Sequence, residues 1–160
     1  MTDFGGLLRM LVERNVEFIV IGGVAAALRG SPRATFDVDV VYGRSLRNIG
    51  NLVAALGGLS PYLRGAPPGL PFRWDTETLR RGLNFTLKTS LGDIDLLGEV
   101  TGGGGYQDLL PYTTELEAFG CRCLVLDLEK LIQVKRAAGR PKDFEAIAEL
   151  EAIREERGDN

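Results

Sequence analysis

Two aspartates one residue apart, Asp37 and Asp39, sit in "RATFDVDVVY", a run that otherwise reads as a buried β-strand. Side chains alternate along a strand, so both carboxylates share one face while Val38 and Val40 point into a core. Like charges at that spacing repel unless a cation lies between them. Two readings stay open on these residues alone: a divalent-ion site, or a strand face open to water on which two carboxylates are hydrated. The pattern recurs at Asp93 and Asp95 in "LGDIDLLGEV". If the second strand lies beside the first, a third carboxylate joins the pair, Asp95 deeper in its strand and Asp93 solvated beside a turn. Three carboxylates meet the needs of a two-ion centre for in-line phosphoryl transfer. Magnesium suits such a set, since it takes a few carboxylates and completes its shell with water and phosphate oxygens.

The absence of histidine narrows the alternatives. It excludes Ser-His-Asp and Cys-His chemistry, His-ligated zinc and an imidazole general base. The two cysteines, Cys121 and Cys123, form a lone C-x-C with no further thiol to close a zinc site, and they read as structural. A second polar feature is "VIGGVAAAL", in which Gly22-Gly23 join a strand to a helix. Free N–H groups and the helix dipole there favour phosphate oxygens, although a double glycine equally makes a plain tight turn. The motif is neither a Walker loop nor a dinucleotide fingerprint.

These residues need elements to position them. The pattern predicts a helix over 3–14, a strand over 16–23 and a short Ala-rich helix over 24–30. A strand follows at about 35–42 and a helix at 45–58, with apolar Leu46, Ile49, Leu52, Val53 and Leu56 at helical spacing. The Gly- and Pro-rich segment from Gly57 to Arg73 reads as loop. In that region Trp74 offers a ring for a base, and Arg64 and Arg73 offer phosphate partners; the plainer reading is a loop pinned by one aromatic. Residues 83–100 read as an antiparallel hairpin around "SLG", and 101–105 as a flexible break before a short helix. A strand at 121–127 and helices at about 128–138 and 141–156 finish the chain, Gly139 stopping the first helix and Pro141 starting the second. This order predicts an α/β or α+β domain around a mixed sheet, with 1–160 as one domain and a C-terminal helical part at about 127–156. On the first of these last helices, Lys135 shares a face with Leu128, Leu131 and Ile132. It either snorkels to water or meets phosphate or carboxylate in a cleft. Arg136, Arg140 and Lys142 form a basic cluster that reads as a solvated helix end or as a surface for an acidic partner.

The bulk numbers set outer limits. The net charge of −3 over 160 residues gives no global attraction to nucleic acid, which weighs against a stand-alone nucleic-acid binder. No apolar run reaches membrane-spanning length, and "MTDFGGLLRM" carries no secretion signal, so the cytoplasm is the expected location.

The separated motifs "IGGVAAALRGSPRATFDVDV" and "LIQVKRAAGRPKDFEAI" resemble the polymerase-beta-like nucleotidyltransferase superfamily, from about Val16 to Leu150. Within it the chain is similar to small bacterial nucleotidyltransferases related to abortive-infection and toxin–antitoxin proteins. The resemblance implies a nucleotidyltransferase fold, with a mixed central sheet flanked by helices. It implies that Asp37, Asp39 and Asp95 hold one or two Mg²⁺ ions and that Gly22, Gly23, Arg33 and Thr35 contact a nucleoside triphosphate. Lys135 is implied as a catalytic cation and Asp143 as a polar site residue. The implied reaction moves a nucleoside monophosphate to a hydroxyl of RNA, protein or a small molecule and releases pyrophosphate. A partner protein or a second copy is compatible with it. Two departures stand out: Gly23 where many relatives have serine, and Ala146 where toxin-type relatives carry a second acid. The second leaves open a binding module without turnover, as one half of a two-protein pair.

Overall fold

Phe-Ile-Val-Ile at residues 18–21 is apolar on both faces, as a strand needs to be when layers cover both sides of a sheet. In the computed structural model, which describes residues 1–158, this segment is an inner strand of a seven-stranded mixed sheet. In chain order the elements are α1 (Phe4–Glu13), β1 (Phe18–Ile21), α2 (Gly22–Leu28), β2 (Asp37–Tyr42), α3 (Leu46–Gly57) and β3 (Tyr62–Leu63). They continue as α4 (Thr76–Arg81), β4 (Asn84–Thr89), β5 (Gly92–Leu97), α5 (Tyr106–Leu109), β6 (Thr113–Ala118), β7 (Cys121–Leu126), α6 (Leu128–Ala138) and α7 (Phe144–Gly158). The sheet order is β3-β4-β5-β2-β1-β7-β6. β2 runs parallel to β5 and antiparallel to β1, and β1 runs parallel to β7.

The core explains the alternation of β2. Val38, Val40 and Tyr42 are fully buried on one face, and Val41 is fully buried on the other. Asp37 and Asp39 share the Val41 face but lie toward the start of the strand, where it opens to a cleft. β5 repeats the scheme, with Ile94 and Leu96 fully buried between Asp93, Asp95 and Leu97. A smaller cluster of Ala26, Leu128, Ile132, Ile147 and Leu150 joins α2, α6 and α7, which places the last two helices beside the glycine turn.

The hairpin, the α6 boundaries and the left-handed Gly139 that ends α6 (φ 64°) agree with the sequence reading. Three segments differ. Residues 113–118 form an edge strand paired with β7, although Glu115 and Glu117 disguise it as surface loop. Residues 76–81 form a helix capped by Asp75, whose side chain accepts from the Thr78 N–H at 2.8 Å. The Gly/Pro segment contains the two-residue strand β3, held on β4 by the Tyr62↔Lys88 and Leu63↔Leu87 pairs.

In α3 the expected apolar position Leu46 is exposed, and a polar residue, Asn48, is buried in its place at 2% exposure. Its amide donates to Glu17 O (2.9 Å) and Gly43 O (2.8 Å), and its Oδ1 accepts from Glu17 N (2.6 Å). One side chain thus ties the entry of β1 to the exit of β2. Asn48→Ala is expected to cost roughly 3 kcal/mol, since three bonds are lost and buried backbone groups are left unpaired. A lowered urea midpoint with an unchanged m-value checks this.

Candidate functional site

The parallel pairing of β2 with β5 sets Asp37 opposite Asp93 and Asp39 opposite Asp95. Asp37, Asp39 and Asp95 each offer a carboxylate oxygen, and these oxygens lie within 4.8 Å of one another. The condition left open by sequence, that the second strand lie beside the first, is met. β1 completes the site from the other side, because its antiparallel register places Ile21 opposite Asp39 and the chain then turns at Gly22. Gly22 has φ 64°, and a Cβ there would collide with the Asp39 carboxylate. A Cβ on Gly23 would collide with the Thr35 side chain. The double glycine is therefore required by close approach, and the carboxylate and the turn are packed as one unit.

Asp39 carries the electrostatic cost. Burial, followed by the charges of Asp37 and Asp95, pushes its carboxyl up to about 7. Burial and then Asp95 also raise Asp37. Among the described residues the buried Oδ1 of Asp39 has no hydrogen-bond partner. A buried anionic oxygen without a donor, facing two further carboxylates, fits a hard divalent cation. Magnesium-type ligation is all-oxygen, and all three groups supply oxygen.

Two cavities, about 480 and 430 Å³, meet at the carboxylates and share Gly23, Asp39, Asp95, Lys135 and Arg140. The first is walled by Asn84, Leu97, Val100, Leu131 and Val134, and the second by Arg33, Thr35, Phe36, Lys142 and Ala146. Lys135, half-buried in the cleft, lies 3.8 Å from the buried Asp143, which also accepts from Arg140 Nε at 2.7 Å. Asp143 thus holds both cations at the mouth of the cleft. Thr35 Oγ1 donates to the carbonyl of Asp37 (3.2 Å). Arg33 is directed away from the carboxylates, toward Glu145 (3.2 Å) and Glu149 (2.9 Å) of α7. Arg136 bonds to Glu151 of α7, so part of the basic cluster staples the last two helices together.

Arg64 is the residue whose place the sequence did not disclose. It follows β3, and its guanidinium reaches Asp95, with Asp93 at 3.6 Å and Asp37 at 3.9 Å. Trp74 is not a free stacking platform: its N–H donates to Val53 O at 3.0 Å and its ring packs on the core. The exposed aromatic beside the carboxylates is Phe36. The cysteines are free and buried, and burial raises the Cys123 thiol to about 11. No helix among the described residues is long and apolar enough to cross a membrane.

The sheet order, the glycine turn and the paired acidic strands form a nucleotidyltransferase-like fold. A solved structure of "a putative nucleotidyltransferase" from Thermotoga maritima matches it with a TM-score of 0.57 over 89% of this chain and 88% of that one. The two sequences are 19% identical. No protein-family model and no curated protein matches the chain in sequence.

Proposed function

We propose that the protein is a Mg²⁺-dependent nucleotidyltransferase that moves a nucleoside monophosphate from a triphosphate to a hydroxyl. The observation that carries this reading is the buried, unpartnered Asp39 oxygen among three converging carboxylates, beside a glycine turn and between two cavities. Asp37, Asp39 and Asp95 would hold the ion. When bound, magnesium supplies positive charge against the triphosphate and lowers the pKa of the attacking hydroxyl.

The chain's own residues account for the rest. The Gly22-Gly23 turn admits phosphate oxygens close to backbone N–H groups. Lys135, common to both cavities, offsets charge on the phosphates, and Asp143 holds its ammonium in place. One cavity takes the nucleotide and the other the acceptor, so that both reach the carboxylates from different sides. The acceptor oxygen forms a bond to the α-phosphorus, and the bond from that phosphorus to the bridging oxygen breaks. Pyrophosphate leaves, and the hydroxyl proton passes to Asp95. Positioning and charge neutralisation supply most of the rate.

A second reading is a nucleotide-binding module without turnover, one half of a two-protein pair. Ala146 favours it, because the cavity it lines presents a methyl group there in place of an acid. Incubation with Mg²⁺, each labelled NTP, and RNA or lysate acceptors separates the two. Labelled acceptor plus stoichiometric pyrophosphate supports transfer. Binding of Mg-NTP by calorimetry with no pyrophosphate supports the module.

A further inference from the structure

Arg64 enters the acidic site from a segment with no obvious chemical signature. Its backbone is fixed: the Arg64 N–H donates to Thr86 O at 3.0 Å, and Gly65 (φ 83°) turns the chain away immediately after. Tyr62 braces the same segment by donating to Pro67 O at 2.5 Å and packing edge-on against Phe72. The side chain is three-quarters buried and spans the outer side of the carboxylates, touching Asp95, Asp93 and Asp37. It makes no ion pair with Asp39, the carboxylate that lies deepest.

One guanidinium therefore pairs directly with the rim of the site and reaches the floor, Asp39, only through its charge at a distance. A dication drawn to the floor must also use Asp95 and Asp37, whose oxygens already face Arg64. Two cations competing for the same carboxylates repel each other, so the ion and the guanidinium cannot both keep their full contacts. The fixed backbone with a long, flexible side chain allows the guanidinium to leave without unfolding the strand.

We propose that Arg64 is the resident counter-cation of the acidic site, displaced from Asp95 when a divalent ion binds. This rests on the metal-ion reading given above. It has a consequence for order of binding. Free metal must move Arg64 off Asp95 and Asp37, which leaves it Asp93 alone. Metal arriving with a polyphosphate gives the guanidinium new oxygens to hold. Ion and nucleotide therefore bind cooperatively, and free metal binds more weakly than metal arriving with nucleotide.

Titration of Mn²⁺ against the full chain, followed by the loss of the free-ion paramagnetic resonance signal, tests this without any turnover. Arg64→Met, which keeps length and removes charge, is expected to bind Mn²⁺ at least tenfold more tightly than wild type in the absence of nucleotide. Arg64→Lys, which keeps the charge, should stay within about threefold of wild type. Adding a non-hydrolysable NTP should tighten wild type more than Arg64→Met. Should Arg64→Met not fold without metal, Arg64→Gln carries the same contrast. Equal Mn²⁺ affinity in wild type and the uncharged variant overturns the displacement and leaves the metal site standing. Failure of every variant to bind Mn²⁺, with or without nucleotide, overturns the metal site itself and this proposal with it.

Discussion

Asp39→Asn is expected to lower nucleotidyl transfer and divalent-ion binding at least 100-fold, and yet to make the metal-free protein more stable at pH 8. The two effects share one cause. Asp39 is half-buried, with its Oδ1 out of contact with water, beside two like charges, and its carboxyl is raised to about 7 from an ordinary 3.8. Between about pH 4 and 7 the folded protein keeps a proton that the unfolded chain has released. Stability therefore falls as pH rises across that window and levels off above it. An amide has no charge to bury, so the variant loses this slope. Its thermal midpoint at pH 8, in chelator, should exceed that of wild type by about 5 °C, while at pH 4 the two should lie close together. Saturating Mg²⁺ should reverse the order, raising wild type at pH 8 and leaving the variant unmoved. Identical pH profiles for the two proteins in chelator would show that Asp39 is not held in this way.

Gly22→Ala should damage the candidate site through a single methyl group. The backbone there is left-handed, which costs an alanine about 1 kcal/mol. The larger effect is the collision between the new Cβ and the Asp39 carboxylate. Either the turn between β1 and α2 shifts or Asp39 swings away from Asp37 and Asp95, and both break the set of ligand oxygens. Transfer is expected to fall at least 100-fold and Mn²⁺ affinity at least tenfold, with the far-UV circular dichroism retained. Gly139→Ala, also left-handed but with no carboxylate against its Cβ, serves as the comparison: it should lose stability and keep the metal. A Gly22→Ala protein with wild-type metal affinity would mean that the turn does not set the position of Asp39.

What was legible in the sequence was local. Alternation along "DVDV" and "DIDLL" assigned the carboxylates to one face, because that follows from strand geometry alone. The helical period and Gly139 fixed α6, and with it Lys135. What was not legible depended on pairing across long separations. Nothing in the sequence sets Asp39 opposite Asp95 rather than a residue to either side. Arg64 enters the site only because two residues of a Gly/Pro-rich segment pair with β4. Strand β6 was hidden because an edge strand tolerates Glu115 and Glu117 on its open side. Asn48 was missed for a related reason: a buried amide that satisfies three distant backbone groups looks, in sequence, like a surface residue of an amphipathic helix.

The most direct test of the metal-dependent transfer reading is the anomalous diffraction of Mn²⁺ in crystals grown with a non-hydrolysable NTP. A strong peak is expected within coordination distance of Asp37, Asp39 and Asp95, with the triphosphate reaching it past Gly22 and Gly23. Nucleotide bound with no peak at these carboxylates, or with the metal held elsewhere, would contradict it.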